Sequence, residues 1–116
     1  EGMTDMAQDP IDRAIFTELQ DTAGAEFVAE LVGTFLEEAP QMLAELRAAL
    51  SGGNADAFRR AAHSLKSNGN TFGANRLAEM ARDLELAGLP AAAAPLDALD
   101  AEYARVTATL QELTRG

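Results

Sequence analysis

The sequence predicts an all-α protein, an antiparallel four-helix bundle with an additional short N-terminal helix. Three observations lead there. Ala and Leu dominate the 116 residues, whereas only five Phe and one Tyr are present and Trp is absent, a composition that favours helix over sheet. Apolar residues recur at spacings of three and four along most of the chain, the period of a helix with one buried face. Gly- and Pro-containing breaks interrupt that pattern at intervals, and no stretch shows the period of two that a half-buried strand requires.

Taken in order, residues 1–9 read as a disordered N-terminal segment, with Glu1-Gly2 ahead of Met3 read as a cloning remnant. Residues 10–116 read as a single bundle. Asp9-Pro10 suits an N-cap followed by proline at the first helical position, and Ile11, Ile15 and Leu19 carry a short helix from there. Val28, Leu31, Val32, Phe35, Ala39, Met42, Leu46 and Leu50 keep helical phase straight through Pro40. An interior proline costs about 3 kcal/mol and frees a carbonyl four residues back, here that of Leu36. The unbroken phase predicts one long kinked helix over 24–50 all the same. Ser51-Gly52-Gly53-Asn54 is a turn whose last residue can cap the next helix.

That third helix spans 55–72, with Phe58, Ala61, Ala62, Leu65 and Phe72 on its buried side and Gly73 closing it. A fourth spans 75–87, with Leu77, Met80, Ala81 and Leu84 inward. Gly88-Leu89-Pro90 stops it. Leu96, Leu99, Tyr103, Val106, Leu110 and Leu113 then follow a 3-4-3-4-3 spacing, the seam of a bundle helix.

Composition also excludes chemistry. With no cysteine, disulfides, thiolate metal sites and thiol nucleophiles are all ruled out. No segment approaches 18 consecutive apolar residues, so no membrane span is expected, and a cytoplasmic location is the default. A net charge of −10 argues against nucleic acid and anionic membrane as partners, since both need a basic footprint. The charge is uneven, however. Between Asp56 and Arg82 stand five cations (Arg59, Arg60, Lys66, Arg76, Arg82) against two anions. A basic strip on an acidic body suits the handling of a small anionic group.

That strip contains the only histidine, His63, three residues before the only lysine, Lys66. At about 100° per residue, and with Phe58 at zero, Leu65 falls near −20° and His63 near 140°. The imidazole is therefore expected on the solvent side, among Arg59, Arg60, Lys66, Ser67 and Asn70 at helical spacings. Cations within a turn disfavour the imidazolium, leaving a neutral and nucleophilic ring, and would steady a dianionic group attached to it. Ser64, Ser67 and Gly69 leave room for a second protein to reach the ring. Gly69 in mid-helix, at about 1 kcal/mol relative to Ala, fits close helix packing equally well.

These residues, in "AAHSLKSNGNTFGANRL" followed by "ARDLE", resemble the histidine-containing phosphotransfer (HPt) domain family of two-component phosphorelays. The family pattern is a phosphoacceptor His, a Lys three residues on, small residues after it and a Gly ten residues after the His. Here these are His63, Lys66, the run Ser67 to Asn70, and Gly73. The resemblance extends from about Ile11 to Leu113. It departs at Ser67, where the family most often has Gly.

The resemblance implies that His63 accepts a phosphoryl group from an aspartyl-phosphate on a receiver domain and passes it to another receiver. Lys66 would contact the phosphoryl oxygens, with Arg59 and Arg60 as weaker candidates. Ser64, Ser67, Asn70, Gly69 and Gly73 would admit the partner. The receiver would supply Mg²⁺ and its carboxylate ligands, so this chain is expected to bind no metal or cofactor and to act as a phosphoryl carrier without catalytic machinery of its own. The implied partners are receiver domains of a hybrid histidine kinase and of a response regulator, met by a monomer.

Other readings fit less well. The "TFGA" portion is similar to the phosphotransfer domain of chemotaxis histidine kinases, which leaves a module of a larger kinase as an alternative. A kinase dimerisation domain typically has an acidic residue after its His, where this chain has Ser64. A metal or haem bundle needs several ligands, and inward Glu-x-x-His pairs are missing. A hydrolase would want a nucleophile and a carboxylate orienting His63; Ser64 is about 100° around the helix and Asp56 two turns away. A plain interaction bundle leaves the His–Lys pairing unexplained.

Overall fold

A computed structural model describes residues 9–115. The expectation for residues 1–8 falls outside these. Five helices form: α1 (Arg13–Ala23), α2 (Ala25–Gly52), α3 (Ala55–Thr71), α4 (Asn75–Ala87) and α5 (Ala94–Thr114). Among the described residues no strand occurs. Helix α3 packs against α2 and α4, α5 packs against the same two, and α1 lies on α2. Four helices thus close around a common core, with the short helix outside the ring.

The core follows the predicted stripes. Val28, Phe35 and Leu46 of α2 meet Phe58 and Leu65 of α3, Leu77 of α4, and Leu99, Val106 and Leu110 of α5, all 0–2% exposed. Burying each such side chain stabilises the fold by about 1.5–3 kcal/mol. The Phe35 ring lies 5.4 Å from that of Phe72 and 5.9 Å from that of Tyr103, tying α2 to the end of α3 and to α5. Arg47 of α2 reaches Asp97 and Asp100 of α5, an exposed clip worth little alone.

Pro40 does not divide α2, which is continuous from Ala25 to Gly52. The proline faces solvent while Ala39 beside it is fully buried. Helix α2 also runs two residues past the expected stop. Gly53 ends it in the left-handed region (φ 67°), its N–H donating to the carbonyls of Ala49 and Leu50. Asn54 caps α3 as expected, accepting from the Ala57 N–H at 3.0 Å.

The start of α1 differs from the sequence expectation. Asp12, not Asp9, is the N-cap, accepting from the N–H groups of Ala14 and Ile15, and Pro10 lies before the helix. Two contacts hold the preceding segment out of helical form. Ile11 is fully buried, and the Asp12 N–H donates to the Gly73 carbonyl at 2.8 Å. Asp9 instead accepts from the Ile11 N–H in a local turn.

Candidate functional site

Helix α3 has two sharply different sides. Phe58, Ala61, Ala62, Leu65 and Gly69 are buried, which turns Arg59, His63 and Ser67 outward. The His63 side chain is 60% exposed, on the side its helical phase predicts. Lys66 lies beside it, 25% exposed.

A third residue joins them from the neighbouring helix. Glu85, near the end of α4, accepts from His63 Nδ1 through Oε2 at 2.8 Å and faces Lys66 Nζ through Oε1 at 3.1 Å. One carboxylate therefore bridges the only imidazole and the only ammonium side chain. Hydrogen bonding from Lys66, then from His63, holds the Glu85 carboxyl below the ordinary carboxylate range, so it is ionised at neutral pH. An ionised carboxylate only accepts. Nδ1 must then carry the proton, and in the neutral ring the lone pair is on Nε2.

Sequence reasoning missed Glu85. It is 22 residues from His63, and only the packing of α4 on α3 brings the two together. The available signal was the "ARDLE" segment, whose final residue is Glu85 and which carries the family resemblance.

Arg59 and Arg60 stay on the His63 side but face away in their pairing. Both engage Asp56 one turn earlier, Arg60 at 3.3 Å, and the two arginines draw the Asp56 carboxyl below its ordinary range, Arg59 by hydrogen bonding first and Arg60 through its charge. They still line a shallow open depression with His63, Ser64 and Glu85. An adjoining cleft shares Arg59 and Glu85 and is edged by Leu86, a leucine 69% exposed.

Ser64, Ser67 and Asn70 are exposed around the ring. The two glycines grouped with them are not. Gly69 is buried against α4; a Cβ there would sit 3.4 Å from the Ala74 carbonyl and from Ala78. Gly69 therefore lies within the α3–α4 packing, where a Cβ would just reach contact distance, rather than clearing space for a partner. Gly73 is also buried, at φ 80°, and a Cβ would come within 2.9 Å of the Asp12 carbonyl. Its role is to turn the chain and seat the segment before α1. Both belong to the scaffold, a correction to their expected place at the partner surface.

The Hpt domain family model matches residues 30–109, a span that runs from α2 to α5 and contains His63, Lys66 and Glu85. The chain belongs to the Hpt domain family. It is a histidine phosphotransfer protein of a phosphorelay. Hpt domains interact with receiver domains of kinases and response regulators and are phosphocarriers. No curated protein matches the chain. Among solved structures it is similar to the histidine-containing phosphotransfer protein B (HptB) of Pseudomonas aeruginosa PAO1, at 29% identity and a TM-score of 0.84 over 91% of this chain and 95% of that one. Among the described residues no helix is long and apolar enough to cross a membrane. The carboxylate that the hydrolase reading found missing near His63 is present as Glu85, 2.8 Å from Nδ1.

Proposed function

We propose that His63 is the phosphoacceptor of this Hpt domain and that Nε2 is the atom that takes the phosphoryl group. The observation that carries the reading is the bond from Nδ1 to Glu85 on a ring 60% exposed: one nitrogen is occupied and the other holds the lone pair. In the step, the Nε2 lone pair attacks the phosphorus of a receiver's aspartyl-phosphate. The acyl P–O bond breaks and its electron pair leaves with the receiver's carboxylate. No proton has to move first, because Nδ1 already holds the one the ring carries.

Lys66 is the residue to meet the phosphoryl oxygens. Its Nζ rests on Glu85, and the flexible four-carbon stem lets it swing toward a dianion that competes for it. Arg59 and Arg60, shared with Asp56, contribute a longer-range positive field. Ser64, Ser67 and Asn70 keep the surface low enough for a receiver to seat its aspartate against the ring. The domain itself needs no metal or cofactor, the Mg²⁺ being the receiver's. The donor and acceptor receivers belong to a hybrid histidine kinase and a response regulator, and the domain works as a cytoplasmic monomer without catalytic machinery of its own.

The test is phosphoryl transfer from a phosphorylated receiver in the presence of Mg²⁺. Label is expected on the wild-type protein and absent from His63→Gln, and it should be acid-labile and alkali-stable, as a phosphoramidate is. Acid-stable label, or label retained by His63→Gln, would refute the assignment. ATP alone should leave no label; self-labelling from ATP would favour a kinase.

A further inference from the structure

The geometry points to a second task for Glu85: it keeps the Nδ1 proton on the ring after phosphorylation, and so holds phosphohistidine in the form that gives its phosphoryl group away. This inference rests on His63 being the phosphoacceptor.

When the neutral ring attacks through Nε2 and retains its Nδ1 proton, both nitrogens are substituted and the ring becomes a cation. The Glu85 carboxylate, 2.8 Å from Nδ1, then faces a positive charge that was not there before. In the onward step a carboxylate oxygen of the second receiver attacks phosphorus, the N–P bond breaks and the electron pair returns to Nε2. With Nδ1 still protonated the departing group is neutral imidazole. Without that proton it would be imidazolate, a far poorer leaving group. A carboxylate hydrogen-bonded to Nδ1 favours the protonated ring and extends the pH range in which the good leaving group exists.

The other charged groups around the ring do not replace Glu85. On α3, Arg59 and Arg60 are engaged by Asp56, and as cations they oppose ring protonation, as does Lys66. On α4, Arg82 stands one turn before Glu85 and is likewise a cation. On α2, Glu45 borders the groove that Arg60 and Ser64 line, on the opposite flank of His63 from Glu85. Among these groups, Glu85 is the one anion hydrogen-bonded to the imidazole. Lys66 adds a coupling. Phosphorylation draws it toward the phosphoryl oxygens, which frees Glu85 Oε1 and concentrates the carboxylate's charge on the ring.

Chemical loading with phosphoramidate reads this without any receiver. Wild type, Glu85→Gln and Glu85→Asp are loaded, and loss of the phosphoryl group is followed by ³¹P NMR from pH 5 to pH 9. The rate should fall with rising pH in each, with the Glu85→Gln profile displaced by about one pH unit to lower pH and Glu85→Asp lying between. Superimposed profiles overturn the proposal. If Glu85→Gln resists loading, the ring ¹⁵N spectra of the unloaded proteins decide: wild type should hold the Nδ1–H tautomer and Glu85→Gln should gain Nε2–H, whereas identical tautomer populations overturn it. Failure of receiver-to-domain transfer, by contrast, strikes the phosphoacceptor assignment and leaves these profiles readable.

Discussion

Two carboxylates in this bundle, Glu85 and Glu102, are built alike and serve different ends. Each bridges two basic groups close to the junction of neighbouring helices. Glu85 holds His63 and Lys66 at the surface of α3. Glu102 of α5 is only 4% exposed and holds Arg105 of its own helix at 3.0 Å and Arg76 of α4 at 3.7 Å. The guanidiniums around Glu102 are donors with no lone pair to offer, so that site fastens α5 to α4. Around Glu85 one partner is an imidazole that keeps a free lone pair on its second nitrogen, and the other is an ammonium on a flexible stem. An exposed, nucleophilic partner is what separates this arrangement from the fastening at Glu102.

The sharpest way to break this comparison is to remove the buried member. Glu102→Ala should lower stability by about 2 kcal/mol, because it strips a buried group from its hydrogen-bonded partners and leaves a void. Urea unfolding would read that loss, and phosphoryl transfer should stay within about twofold of wild type. A stable Glu102→Ala with impaired transfer would reverse the two roles.

Lys66→Ala is the next largest effect. Transfer from a receiver should slow about tenfold, equivalent to roughly 1.4 kcal/mol of barrier, while stability falls by no more than about 1 kcal/mol, as for a partly covered surface ion pair. Rapid-quench kinetics beside urea unfolding would separate the two, and equal damage to both would make Lys66 a structural residue.

The smallest effect concerns acid. The Glu85 carboxyl is depressed in the folded state by Lys66 and His63, so its contribution to stability is complete above the unfolded carboxyl value and fades as pH falls through the lower folded value. That places the loss below about pH 4. Unfolding of wild type and Glu85→Gln should therefore differ near neutrality and converge in acid. A gap that widens as pH falls would contradict the ion-pair geometry.

The helices were legible because burial here is periodic. The stripe through α5 and the phase running across Pro40 state which faces go inside, and the same arithmetic turned His63 outward. What the sequence concealed depends on contacts between distant segments. Asp9 and Asp12 both carry cap chemistry, and the burial of Ile11 together with the bond from the Asp12 N–H to the Gly73 carbonyl selects the second. Gly69 reads as open surface by residue size, and Gly73 joins the partner surface only through the family resemblance, yet α4 and the segment before α1 occupy that space. Glu85 escaped notice because a charged residue on an amphipathic helix carries no local mark of its partner; the packing of α4 on α3 delivers it to the imidazole.

The most direct test of the account is which nitrogen of His63 carries phosphorus. Protein labelled with ¹⁵N in the ring and loaded from a phosphorylated receiver should show its one-bond ³¹P–¹⁵N coupling at Nε2, with Nδ1 still bearing a proton toward Glu85. Phosphorus on Nδ1, displacing Glu85, would contradict it.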